Sequence, residues 1–135
     1  MPALFLMLAA LNGFLAVGLG AFAAHGLSNV LAANYLATFA TAVNYHMYHA
    51  LALFALAVLL QSYPSATALR RSGMLFQLGI ILFSGSLYLL SVTGIGWLGA
   101  ITPLGGLCFL LAWALLGKFG YTQFRQNNAS NEAQS

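Results

Sequence analysis

Acidic side chains are nearly absent from this chain. Its 135 residues include no aspartate and one glutamate, Glu132, close to the carboxyl end. That removes paired carboxylates, carboxylate-gated proton relays and most hard-metal sites from consideration. Cysteine is as scarce: Cys108 stands alone, so no intramolecular disulfide can form and its natural place is that of a small hydrophobe. Charge of either sign is rare, 4% of residues against about 25% in a soluble domain. Arg70, Arg71, Lys118, Arg125 and Glu132 cannot coat a soluble surface of this size. So few cations also make no nucleic-acid footprint, which needs a clustered basic face, and no nucleic-acid partner is expected.

What the chain does have is apolar sequence, 61% of it hydrophobic. A hydrocarbon core of ~30 Å takes about 20 helical residues at ~1.5 Å each. The length therefore suits about four spans, and the lipid bilayer is the first expected partner. The runs fall at about residues 3–24, 41–61, 72–92 and 102–118, giving a four-span membrane domain over 1–120 and a tail over 121–135. The competing reading of the first run as a cleaved signal peptide lacks a basic leading region, and the run exceeds the usual apolar length of such peptides. Ala9 and Gly13, Ala16 and Gly20, and Gly20 and Ala24 repeat a small-xxx-small spacing that lets a second helix approach closely. Gly26 is placed to cap the first helix, and the second is expected as one long helix over about 33–61. Pro64 bars continuation beyond it. Trp97 in the Gly-rich loop 93–99 suits an interface anchor, and Pro103 suits a first helical position. The polar residues 127–135 (NNASNEAQS) read as a disordered end.

Four spans put the amino terminus, the Arg70-Arg71 loop and the carboxyl tail on one side. All four Lys/Arg lie on that side, and cytoplasmic segments are enriched in these residues. The expected fold is thus an all-α membrane protein, a four-helix transmembrane bundle with both termini cytoplasmic, in a bacterial plasma membrane.

Polar groups inside the spans are few, and each needs a partner within the protein. Asn12 lies near the middle of the first, where an interhelical hydrogen bond to a Ser, Thr or Tyr is expected. The second carries NYHMYH at 44–49, in which Tyr45, Tyr48 and His49 share one helical face. Counting helical rise from the loop ends puts His49 and Ser84 at similar depth, so a His49 bond to Ser84 or Ser86 is feasible. The candidate polar cluster comprises His25, Asn44, Tyr45, Tyr48, His49, Ser84, Ser86, Tyr88 and Thr102, all in the half opposite the termini.

Three readings of that cluster follow: polar groups that satisfy one another and fix helix register, a small pore or proton path, or a metal or haem site. The third rests on three histidines without carboxylate or thiolate at ligand spacing, so no metal and no cofactor are expected. Ser84 or Ser86 with His49 would make a nucleophile and a base, but no acid in any span could orient the imidazole, and no enzyme is expected. The GIGWLG string at 94–99 follows no soluble strand and is not a phosphate loop.

The motifs GAFAAHGL (20–27), TAVNYHMYHALAL (41–53), LFSGSLYLL (82–90), TPLGG (102–106) and FLLAWALL (109–116) resemble the YgdD/YwdK-like small membrane proteins. This is a domain-of-unknown-function family with eukaryotic transmembrane relatives, and the likeness covers about residues 10–117. It implies an integral membrane protein without an established activity. It also implies that His25, His49, Ser84, Gly85, Ser86, Tyr88, Thr102, Pro103, Gly105 and Gly106 fall on family positions. His46 stands where the family usually has Gln, which undercuts a paired-histidine metal site. Ala23 and Ala112 stand where the family pattern commonly has Gly. The expected role is a structural or interaction component, alone, as a homo-oligomer or with other membrane proteins. Transport of a small solute or proton is the alternative.

Overall fold

A computed structural model of the protein describes residues 1–132. Among these, four helical segments are long and apolar enough to cross a membrane: Pro2–Leu27, Ala33–Ser62, Thr67–Thr93 and Gly96–Glu132. The first is α1 (Pro2–Phe22) followed by a π-helical turn, Ala23–Leu27. The second is a single helix, α2 (Ala33–Ser62), close to the long helix expected. The third is α3 (Thr67–Gly79), a π turn over Ile80–Ser84, and α4 (Gly85–Thr93). The fourth enters through a 3₁₀ turn, Gly96–Ala100, and continues as α5 (Thr102–Glu132) from the expected Thr102-Pro103 start.

Two terminations differ from expectation. Gly26 is not a left-handed cap, because Gly94 is the one residue described with positive φ, at 70°, and it closes α4 instead. The first span widens into its π turn, with the Phe22 ring lying over Gly26. The tail over 121–135, expected to end in disorder over 127–135, is helical as far as Glu132, and 133–135 lie outside the described residues. Beyond Gly120 the tail has no Gly or Pro, and adding residues to an existing helix needs no new nucleus.

Two apolar clusters fill the interior. The larger lies toward the termini and packs Phe5 and Ala9 of α1 against Leu53, Leu56 and Leu60 of α2, Leu69 and Phe76 of α3, and Phe109 and Ala112 of α5. The smaller joins Ala23, Leu27 and Phe39 near the opposite end. Gly105 marks the closest approach of two spans, since a Cβ there would collide with the backbone nitrogen of Phe83. Along α1 and α2, Asn12 and His46 fall between the two clusters, so the buried polar groups lie between two apolar masses.

Candidate functional site: a polar ladder between the spans

Asn12 is the hub. Its amide nitrogen donates to Leu8 O one turn back at 2.7 Å and to Gln77 Oε1 of α3 at 2.8 Å. A backbone carbonyl only accepts, so Leu8 fixes which end of the amide is nitrogen. Asn12 Oδ1 therefore faces His46 Nε2, 2.9 Å away, and Nε2–H donates to it. With Nε2 carrying the proton, the neutral ring's Nδ1 is an acceptor, and the Tyr88 hydroxyl donates to it at 3.2 Å. Gln77, Asn12, His46 and Tyr88 thus form one hydrogen-bonded ladder through three spans. His46 and Asn12 are 4% and 5% exposed, so water does not compete at either.

His49 belongs to a separate arrangement. Its Nδ1–H donates to Tyr45 O at 2.7 Å, leaving Nε2 to accept from Trp113 Nε1–H at 3.4 Å. The ring lies flat on Phe109, with centroids 3.4 Å apart and planes 3° from parallel. Every ring nitrogen of His46 and His49 is engaged in a hydrogen bond, and the two rings turn to different neighbours. Among the described residues no three His, Cys, Asp or Glu side chains gather as a metal site.

The remaining candidates disperse. Ser86 Oγ donates to Phe83 O at 3.0 Å and pairs with Thr102 Oγ1 at 2.8 Å, tying the third span to the fourth. Tyr88 joins the ladder and packs on Phe39. Ser84 is wholly buried, yet its hydroxyl has no hydrogen-bond partner among the described residues, and Ser86 and His49 are bonded to other groups, so the feasible bond from Ser84 or Ser86 to His49 is not formed. The π turn ending at Ser84 rotates the helix beyond it by roughly 100° per extra residue, which redirects this stretch. Tyr45 and Tyr48 are exposed on the outer surface of α2, and Tyr45 stacks on Phe83. With His49, Pro103, Phe109 and Trp113 they line an outward-facing groove of about 740 Å³. His25 and Asn44 are exposed as well, Asn44 lining a second, smaller groove between the first two spans. A single cluster is therefore corrected to three small ones, with His25 and Asn44 outside them.

Asn12 does make the interhelical bonds expected of it, but to His46 and Gln77 rather than to a Ser or Thr. Gln77 and His46 were absent from the candidate cluster. Their one sequence signal is that both lie inside an apolar run, where an amide or imidazole must find a partner.

Four apolar helices, pinned by a few buried hydrogen bonds, define a small multi-pass integral membrane protein. The chain belongs to the family described as "Protein of unknown function (DUF423)", whose model matches residues 19–106. It is 52% identical to the UPF0382 membrane protein YwdK of Bacillus subtilis over 112 residues, 83% of this chain and 91% of that one. A UPF0382 membrane protein of Haemophilus influenzae is 45% identical over 83% of this chain and 89% of its own. No solved structure matches it. The protein is accordingly an integral protein of a bacterial membrane.

Proposed function

We propose that the protein is a non-catalytic scaffold of the bilayer, a rigid bundle, both termini cytoplasmic, that acts by presenting lipid-facing surfaces to membrane partners. One observation carries this reading: most of the buried polar side chains inside the spans hold the spans to each other. Asn12 ties the first span to the second and third, and His46–Tyr88 ties the second to the third. Trp113–His49 ties the second to the fourth, while Ser86–Thr102 and Ser72 Oγ–Ala112 O tie the third to the fourth. Such bonds average only about 0.6 kcal/mol in membranes, so their larger effect is to select one register among many apolar packings. Partners, whether further copies or other membrane proteins, would meet the outer face of α1, where Phe14 and Met7 are exposed, or the Tyr45–Trp113 groove.

A proton path is the second reading, and the ladder favours it. From Gln77 to Tyr88 it covers eleven residues of the third span, about 16 Å of helical rise. Two of its four members are carboxamides, however, which hold their protons and do not pass them on as an imidazole does. The test is flux. Pure protein in liposomes with a pH-sensitive dye, and a panel of small solutes, should show no protein-dependent permeation. Flux that disappears in His46→Gln, with the fold intact, would overturn the scaffold reading.

A further inference from the structure

At the end of the bundle that carries both termini, a cleft of about 470 Å³ opens between the α2–α3 turn and α5. Arg71 and Lys118 stand on opposite sides of it, one from the start of the third span and one from the end of the apolar part of the fourth. Ser65, Thr67 and Thr122 add hydroxyls, and Phe119, edge-on to Tyr63 with centroids 5.1 Å apart, makes part of one wall apolar. We propose that this cleft is a binding site for the phosphodiester headgroup of an anionic phospholipid from the same leaflet. It goes beyond the scaffold reading and does not depend on it.

Charge complementarity decides the occupant. The chain's one acidic side chain, Glu132, follows Lys118 by fourteen residues on the same helix, about 21 Å of helical rise, so among the described residues no carboxylate lines the cleft. The helix that begins at Thr67 has no side-chain cap and no acid in its first turn, so unpaired backbone N–H groups add positive potential at the same place. Arg70, which does not line the cleft, is tied down by its Nη2 bond to Ser65 O at 3.0 Å. Depth decides between a lipid and a soluble anion. The cleft sits at the ends of two apolar spans, and along α5 its lining passes from Leu115 on the apolar side to Lys118, Thr122 and Gln123 on the polar side. A molecule with a phosphate head and acyl chains matches both sides, whereas an inorganic anion uses only the polar one.

The test is native mass spectrometry of the full chain released from micelles that contain phosphatidylglycerol or phosphatidylcholine. One phosphatidylglycerol should stay bound at activation energies that strip phosphatidylcholine. The double variant R71Q/K118Q should weaken that retention about 25-fold, about fivefold for each cation removed near an anionic surface. R125Q removes the same kind of charge outside the cleft and should leave retention unchanged. Circular dichroism and the unfolding midpoint of each variant confirm that the bundle is intact. Equal retention of the two lipids, undiminished retention in R71Q/K118Q, or an equal loss in R125Q would overturn the site. Glycerol phosphate held as well as the lipid, with the same dependence on Arg71 and Lys118, would assign the cleft to soluble phosphate esters and overturn the lipid.

Discussion

Replacing Asn12 by Leu tests whether the ladder holds the bundle together. The substitution keeps a similar volume and removes the amide that donates to Leu8 O and Gln77 Oε1 and accepts from His46 Nε2–H. Two of these bonds are interhelical. At the membrane average of about 0.6 kcal/mol each they amount to roughly 1.2 kcal/mol. The Nε2–H of His46 and Oε1 of Gln77 are then left unpaired, and an orphaned buried group costs about 1–3 kcal/mol when nothing replaces its partner. Part of that cost also exists in the unfolded chain within the membrane, so the expected loss is about 1–3 kcal/mol in all. Reversible unfolding in mixed micelles, titrated with dodecyl sulfate and followed by tryptophan fluorescence, measures it. A double-mutant cycle with His46→Leu isolates the pair and should return a coupling of about 0.6–1.7 kcal/mol. Strict additivity of the two single variants would refute the ladder as an energetic unit, whatever the size of each loss.

Other outcomes follow from single contacts. Ser84→Ala removes a buried hydroxyl that has no partner among the described residues and should leave stability unchanged or raise it by up to about 1 kcal/mol, whereas Ser86→Ala breaks the tie to Thr102 and should lower it. Melting curves of the two variants in one detergent check the opposite signs. Gly105→Ala drives a methyl into the Phe83 backbone, which cannot swing aside, and should cost about 1–3 kcal/mol; Gly13→Ala, with open space at its Cβ, should cost nothing. For the proposed orientation, in a background with Cys108 replaced, Ser28→Cys and Gly96→Cys should react with an impermeant thiol reagent added to intact cells and Ser65→Cys should not. All three positions are exposed, so the reverse pattern would invert the topology.

The spans were legible in the sequence because crossing hydrocarbon makes a demand on composition that nothing else in so short a chain would satisfy. The start of α5 at Thr102-Pro103 and the length of α2 followed from ordinary turn and breaker chemistry. Rotation about each helix axis was not legible. In a soluble bundle the polar stripe reveals it, but here the lipid-facing and core-facing residues are equally apolar: Leu51 and Phe54 face outward while Leu53 and Leu56 are buried. Tyr45, Tyr48 and His49 therefore read as one inward face without His46, although His46 turns inward to Asn12 while Tyr45 and Tyr48 are exposed. The π turn at Ile80–Ser84 compounds the difficulty, because no residue in IILFS announces an inserted position. Depth could be counted from the loops; facing direction required the packed structure.

His46 is the position at which the scaffold and the proton path part company, and His46→Gln separates them. In the ladder the imidazole has two duties, donating from Nε2 to Asn12 Oδ1 and accepting at Nδ1 from the Tyr88 hydroxyl. A glutamine amide also offers one donor and one acceptor at its tip, and its nitrogen reaches about as far from the backbone as Nε2 does. It can therefore serve both neighbours, but it cannot take up a proton and release another. If the buried groups exist to hold register, His46→Gln should keep stability within about 0.5 kcal/mol of the parent, while His46→Leu, which serves neither neighbour, should lose about 1–3 kcal/mol. If the ring instead carries protons, His46→Gln should fold normally and abolish a measurable flux. Stability in mixed micelles and flux in liposomes, read on the same preparations of these two variants, assign the residue. A His46→Gln protein as unstable as His46→Leu would show that the site needs the shape of the ring and not its hydrogen bonds, and the register argument would fall with it.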